Sequence, residues 1–207
     1  MFPDTSALGL RLLALGLVDV QRLDSSIQVD LKYSGKDNFM GFAVYANLHH
    51  AYLQADAAGR LVKAQHALKK RFPFYSILVF DAVRPLHIQK IMWDTLKMPS
   101  GWKQQYLTSP LLGSLHNYGV AVDVSIINAD GQELDMGTKF DYFGLLAHPE
   151  FEDKFVLEGK LSHRQMLNRE LLREVMAAGG FSRIETEWWH FNSCSRKQCD
   201  GLYKIVE

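Results

Sequence analysis

The sequence is poor in several features that would assign a class at once. Only two of its 207 residues are cysteine, Cys194 and Cys199, too few for a disulfide framework in a chain of this length. We read them as two ordinary thiols, with a local disulfide in an oxidising compartment as the alternative. Their spacing is not CxxC, and no further cysteine could complete a thiolate zinc site. An excess of either charge is also absent: Lys plus Arg number 23 and Asp plus Glu number 23. Nucleic-acid binders normally carry a basic excess, so no nucleic-acid partner is expected. No apolar run approaches the ~20 residues of a membrane span. There is no internal repeat, low-complexity tract or long linker. HExxH, GxSxG, a P-loop and GxGxxG are missing too, which removes the common signatures of helical zinc proteases, serine hydrolases and nucleotide binders.

The composition is that of a folded protein, 47% apolar and 22% charged. One domain over residues 1–207 is expected, since domains commonly run about 100–200 residues. The stretch MFPDTSALGLRLLALGLVDV resembles the apolar part of a secretory leader. However, Asp4 precedes that part, Arg11 interrupts it, and no small-residue cleavage site follows. A short packing helix is the reading taken. The expected location is cytoplasmic, or periplasmic if a leader is present or has been removed.

Apolar spacing predicts a helix over 49–71, with Leu53, Ala57, Leu61, Ala64 and Leu68 on one face, ended by Pro73. FYSILVF at 74–80 reads as a buried strand, and Pro85 as the start of a helix to about Lys97. Pro99, Gly101, Pro110 and Gly113 make 98–113 a loop. GVAVDVSII at 119–127 reads as a strand, followed by a hairpin turn at Asp130-Gly131. A helix over 161–178 turns Leu167, Leu171, Leu172 and Val175 inward and stops at Gly179-Gly180. FSRIETEWWHF reads as a strand pair or a bent strand. The fold class is therefore α+β: a small, mostly antiparallel sheet flanked by helices.

Three short segments carry chemistry. In SLHNYGVAVD, His116 and Asp123 are seven apart around Gly119, and Asp123 stands in an otherwise apolar strand. An unpaired carboxylate there would be costly, while imidazole and carboxylate suit zinc. A loop histidine plus an Asp paired to an Arg fits the segment equally well. In EWWH, Glu187 and His190 converge only if the chain bends, which the two Trp rings could brace. An aromatic strand with a core histidine is the plainer reading of that segment alone. In DAVRP, Arg84 sits just past a strand end, where it could face a cleft or simply pair with Asp81. Together the three supply two His, an Asp, a Glu and an Arg, the inventory of a catalytic zinc site with one position open to water. His49, His50, His66, His87, His148 and His163 have no partner at ligand spacing and are read as surface or packing residues. Trp93 and Trp102 are read as core.

SLHNYGVAVD resembles the SxHxxGxAxD motif, and EWWH the ExxWH motif, of the D-alanyl-D-alanine dipeptidases, zinc D,D-peptidases related to the vancomycin-resistance enzymes. DLKYSGKDNFMG is similar to that subgroup's N-terminal strand, DAVRP to its arginine motif and DMGTKFD to its segment after the metal aspartate. The resemblance runs from about Asp30 to the end; residues 1–25 and CSRKQC carry nothing family-specific. It implies one Zn2+ per chain held by His116, Asp123 and His190, with Glu187 as catalytic base and Arg84 as the transition-state arginine. It also implies Ser114 and Asp141 as holders of the substrate's free amino end. Ser114 could instead cap a turn and Asp141 a helix. The implied partner is a small D,D-dipeptide of peptidoglycan chemistry. Alternatives with the same centre are a D,D-carboxypeptidase or a peptidoglycan endopeptidase, and, from another class, a zinc-binding module without catalysis. Leu145–Lys160 departs from the family and is expected to shape the substrate mouth.

Overall fold

The structure is a computed structural model that describes residues 4–207. Its centre is a five-stranded sheet of β2 (Gln28–Val29), β4 (Ser76–Asp81), β5 (Ala121–Ile127), β6 (Ser182–Arg183) and β7 (His190–Asn192), in the order β2-β4-β5-β7-β6. Only β2 and β4 run parallel; the other pairings are antiparallel. A separate ribbon pairs β1 (Val18–Asp19) with β3 (Tyr52–Leu53). The architecture is the α+β domain expected from the sequence.

Two long helices cover one face of the sheet. α3 (Ala55–Arg71) buries Ala57, Leu61, Ala64 and Leu68, and carries Lys69, Lys70 and Arg71 in its last turn, where cations oppose the helix dipole. It starts at 55 rather than 49, because Tyr52 and Leu53 are drawn into the ribbon with β1. His50 joins the same corner, its Nδ1 2.8 Å from Asp19 Oδ2. α7 (His163–Gly179) is opened by a Ser162–Gln165 capping box and closed by Gly180 at φ +91°. Its buried stripe runs through residues 168, 171, 172, 175, 176 and 179. Leu167 lies off that stripe and is 43% exposed, contrary to expectation. The polar Asn168 takes the inward place and donates to Asp135 O at 2.8 Å.

The remaining differences also have local causes. Residues 98–113 are not all loop, since α5 (Ser100–Tyr106) forms directly after Pro99. Lys103, Gln104 and Gln105 are good helix formers, and Pro is tolerated at a helix start. Trp102 on α5 is 59% exposed and is not a core residue, while Trp93 on α4 (Leu86–Thr95) is half-buried. Beyond β2, DLKYSGKDNFMG is a 3₁₀ turn at Lys32–Ser34 and then loop rather than strand. The hairpin after β5 turns as expected at Gly131 (φ +77°), but its return arm keeps only an isolated bridge, Ile127 to Glu133. FSRIETEWWHF resolves into the β6–β7 pair. Cys194, just past β7, forms a disulfide with Cys199 of α8 (Arg196–Leu202), so the two are not free thiols. The N-terminal segment forms the short packing helix α1 (Ala7–Ala14), with Leu12 buried and Leu10 exposed, and the single turn α2 (Val20–Leu23) follows β1. Among the described residues no helix is long and apolar enough to cross a membrane.

Candidate metal centre

The site begins with an irregularity in the sheet. β4 and β5 pair in regular register from Ser76–Ile127 to Val79–Val124, then shift so that Asp81, not Phe80, stands opposite Asp123. Strict alternation would turn Asp81 to the same face as Ile77 and Val79. The bulge turns it instead towards Asp123. On the other side of β5, Asp123 is in register with His190 of β7. Asp81, Asp123 and His190 thus form one row across three adjacent strands. Two carboxylates directly opposite each other repel, and Arg84 answers that repulsion. Its Nη2 lies 2.6 Å from Asp81 Oδ2 and 3.6 Å from Asp123 Oδ2.

His116 reaches the row from a 3₁₀ turn, Leu115–Tyr118. Ser114 caps that turn, its Oγ accepting from His116 N at 3.3 Å, while its own N donates to Asn117 Oδ1 at 2.5 Å. Gly119 ends it at φ +70°, where an added Cβ would stand 2.9 Å from Leu17 Cδ2. The turn is sewn to the arginine segment: Arg84 N donates to His116 O, and Asn117 Nδ2 donates to Arg84 O.

Three atoms converge at the head of the row. His116 Nε2 lies 3.1 Å from His190 Nδ1, His190 Nδ1 lies 3.0 Å from Asp123 Oδ1, and His116 Nε2 lies 3.3 Å from Asp123 Oδ1. Bond lengths of ~2.0–2.1 Å around a tetrahedral zinc put ligand atoms about 3.3 Å apart, so the spacing fits. The donor chemistry fits as well. His116 Nδ1 faces Ala82 O at 2.7 Å, a group that only accepts, so that nitrogen carries the proton and Nε2 offers a lone pair. His190 Nε2 lies 2.9 Å from Asn192 Oδ1; with Nε2 as the donor of that pair, Nδ1 keeps a lone pair. Two lone pairs and a carboxylate oxygen pointing at one spot repel unless a cation lies between them. Among the described residues this is the one group of three or more His, Cys, Asp or Glu side chains placed to hold a metal. Burial alone would raise the Asp123 carboxyl; in the metal-free chain the His116 and His190 rings, when protonated, outweigh it and hold the group well below the usual carboxylate range.

Glu187, Arg84, Ser114 and Asp141 face the same cavity of about 430 Å³. Glu187 Oε2 is 4.0 Å from His190 Nδ1, its side chain is 12% exposed, and it makes no hydrogen bond among the described residues. The bend at the end of the β6–β7 connection brings it there, braced by buried Trp188, whose Nε1 donates to Thr138 Oγ1, and by Trp189 in edge contact. Burial pushes Glu187 up to about 8, with Asp123 and Asp141 adding to this and His190 opposing it. Arg84 has five N–H donors. Nε and Nη2 each give one to Asp81, and Nη1 gives one to Gln89 Oε1. Two remain, one of them on Nη2, which also faces Asp123 at 3.6 Å, and the residue lines the cavity. The structural ion pair with Asp81 is present and is also what aims this guanidinium.

Asp141 caps no helix. It stands in a left-handed conformation, φ +60°, and accepts from Tyr33 Oη at 2.9 Å and from Phe39 N at 3.3 Å. Burial, reinforced by Asp123 and offset in part by Tyr33, raises its carboxyl to about 7. A carboxylate raised from 3.8 to about 7 binds more protons folded than unfolded between those pH values, so it lowers stability as pH climbs through that window. Asn keeps an acceptor for Tyr33 and tolerates positive φ. Asn loses the acceptor for Phe39 N, so the difference between pH values is the readout: the melting temperature of metal-free Asp141→Asn, relative to the parent chain, is expected to rise by several degrees between pH 4 and pH 8. Equal melting shifts at the two pH values would contradict the burial of this charge.

The structure brings all seven candidate residues to one cavity. It also adds residues that the motifs did not single out: Tyr33, Phe39, Phe143, Asn192 and the segment Gln104–Thr108. The mouth is therefore walled by α5 and its exit, not by Leu145–Lys160, none of which lines the cavity. That stretch holds α6 (Glu152–Leu157) and anchors to α7 through Glu152 with Arg169 and Arg173. None of the six remaining histidines joins a metal-holding group.

Known proteins resemble this chain over most of its length. The family model of the M15 peptidases, described as D-ala-D-ala dipeptidase, matches residues 13–204. A D-alanyl-D-alanine dipeptidase of Escherichia coli (strain K12) is 30% identical over 175 residues, covering 84% of this chain and 83% of that protein. One from Synechocystis sp. is 29% identical, covering 68% of each chain. One from Enterococcus faecium is 23% identical, covering 86% of this chain and 91% of that protein. The polar row across the sheet thus lies within a match that spans nearly the whole chain, and the chain belongs to the D-ala-D-ala dipeptidase family of M15 peptidases.

Proposed function

We propose that this peptidase is a zinc-dependent dipeptidase that hydrolyses D-alanyl-D-alanine to free D-alanine. The observation that carries the reading is the convergence of three lone-pair donors beside one carboxylate without a hydrogen bond and one arginine with spare donors. His116 Nε2, Asp123 Oδ1 and His190 Nδ1 would hold the ion. Zinc bound there would supply Lewis acidity, polarising the scissile carbonyl and lowering the pKa of water towards ~7.

The chain's own residues do the rest. Glu187, ionised beside that cation, takes the proton of the attacking water and later delivers a proton to the leaving amine, work worth about 10²–10⁴ in rate. Arg84 offers its free N–H groups to the oxyanion that develops at the carbonyl. It is held rigid by Asp81, so little reorganisation is needed as charge appears. Asp141, backed by Tyr33, offers the substrate's ammonium a carboxylate whose ionisation that ammonium favours. Ser114, whose hydroxyl caps the metal turn, faces the same space and completes this end of the site. The partner is thus a small D,D-dipeptide with a free amino end.

The discriminating experiment compares D-Ala-D-Ala, N-acetyl-D-Ala-D-Ala and L-Ala-L-Ala with zinc-loaded protein. Cleavage of the free D,D-dipeptide alone is expected. Cleavage of the acetylated peptide instead would overturn the dipeptidase reading in favour of a carboxypeptidase or endopeptidase. Stoichiometric zinc binding with no cleavage of any peptide would favour a non-catalytic zinc module.

A further inference from the structure

Residues 190 and 192 point to one face of β7, because alternate residues of a strand share a side. Asn192 therefore stands beside His190. Its main chain is in register with Ala121 on one flank and Ser182 on the other, which holds its side chain in place. Asn192 Oδ1, 2.9 Å away, is the hydrogen-bond partner of His190 Nε2 among the described residues. The matching partner of His116 is Ala82 O. The two differ in kind: a main-chain carbonyl only accepts, whereas a carboxamide can present either an acceptor or a donor.

That choice decides which nitrogen of His190 bears the proton. With Oδ1 towards the ring, Nε2 carries it, and Nδ1 keeps its lone pair 3.0 Å from Asp123 Oδ1 and 3.1 Å from His116 Nε2. With the amide reversed, Nε2 would accept, Nδ1 would carry the proton, and the donor set would be closed to a cation. We infer that Asn192 is a positioning residue that holds His190 in the Nε2-protonated tautomer and thereby sets how tightly the centre binds zinc. The inference rests on the reading of His116, Asp123 and His190 as metal ligands. It does not depend on which peptide is cleaved.

The test is a zinc titration of the metal-free full chain against a chromophoric chelator, with cobalt(II) absorption as a second readout. Asn192→Leu keeps the size and removes the acceptor; its zinc dissociation constant is expected to rise about 10–100-fold, and its cobalt(II) band to weaken. Asn192→Asp keeps an acceptor and cannot donate, so it should hold zinc at least as tightly as the parent and restore the band. The metal-free variants should melt with the parent chain. If Asn192→Leu does not fold, Asn192→Ala is held to the same expectation. Parent-like zinc affinity in the acceptor-free variant would overturn the inference, as would an Asn192→Asp chain as weak as Asn192→Leu. A parent chain that binds no zinc would bring down the ligand reading, and this inference with it. Zinc binding with the expected ranking, but without D-Ala-D-Ala cleavage, would support the inference and defeat only the substrate reading.

Discussion

Glu187→Ala is expected to lower the turnover of D-Ala-D-Ala by about 10²–10⁴-fold while zinc stays bound with parent affinity. Glu187 faces the donor set without belonging to it: its Oε2 is 4.0 Å from His190 Nδ1, against 3.0–3.3 Å among the three converging atoms. That extra distance leaves room for water. Burial holds the carboxyl up near 8, and a cation at the centre would pull it down into the range of a useful base. The charge is also a burden on the metal-free fold. A carboxylate raised from 4.5 to about 8 costs stability progressively as pH rises between those values. Metal-free Glu187→Ala should therefore be no less stable than the parent chain at pH 8. Glu187→Gln, which preserves shape, should lose as much activity as Glu187→Ala. Single-turnover kinetics together with a zinc assay measure both halves of this expectation. Full turnover by either variant would remove Glu187 from the mechanism.

His116→Ala is expected to lose zinc and turnover together. Zinc affinity should fall by more than the ~10–100-fold typical of losing an outer partner, because one of three ligand atoms is gone. Ala82 O would also lose its ring donor inside the fold, which costs about 1–3 kcal/mol when a buried group is left unpaired. A combined loss is the signature that separates His116 from Glu187. If His116→Ala bound zinc as tightly as the parent chain, the centre would have to be built from other residues.

The legible part of the site consisted of polar residues in places where polarity is expensive. Asp123 in an apolar strand and His190 beside two Trp residues required partners, and β5 and β7 supply them by direct register. Gly119 signalled the turn that carries His116, and it does adopt positive φ. The capped, periodic α7 was legible for the same reason, its start and stop being written in Ser162 and Gly180.

What escaped depends on contacts between distant segments. The β4 bulge that turns Asp81 towards Asp123 breaks the alternation on which strand reading relies. Tyr52 and Leu53 continue a helical pattern, and only β1, some thirty residues earlier in the chain, claims them as strand. α5 was hidden by Pro99 and Gly101, one of which suits a helix start. The departure of Leu145–Lys160 from the family pattern points to it as the wall of the mouth, but it packs on α7, and α5 and its exit form that wall. Helical spacing turns Leu167 inward and hydrophobicity puts Trp102 in the core, whereas Asn168 takes the inward place on α7 and Trp102 remains exposed. The Cys194–Cys199 pairing follows from where the end of β7 delivers the chain to α8, which the spacing of two cysteines does not reveal.

The central claim is that this metal centre hydrolyses D-Ala-D-Ala, and its most direct test is D-alanine release before and after metal removal. The chain is stripped with a chelator, assayed, then restored with zinc at one ion per chain. The account predicts no release from the stripped protein and recovery on restoration. Undiminished release from the stripped protein, or none from the zinc-loaded protein, would contradict it.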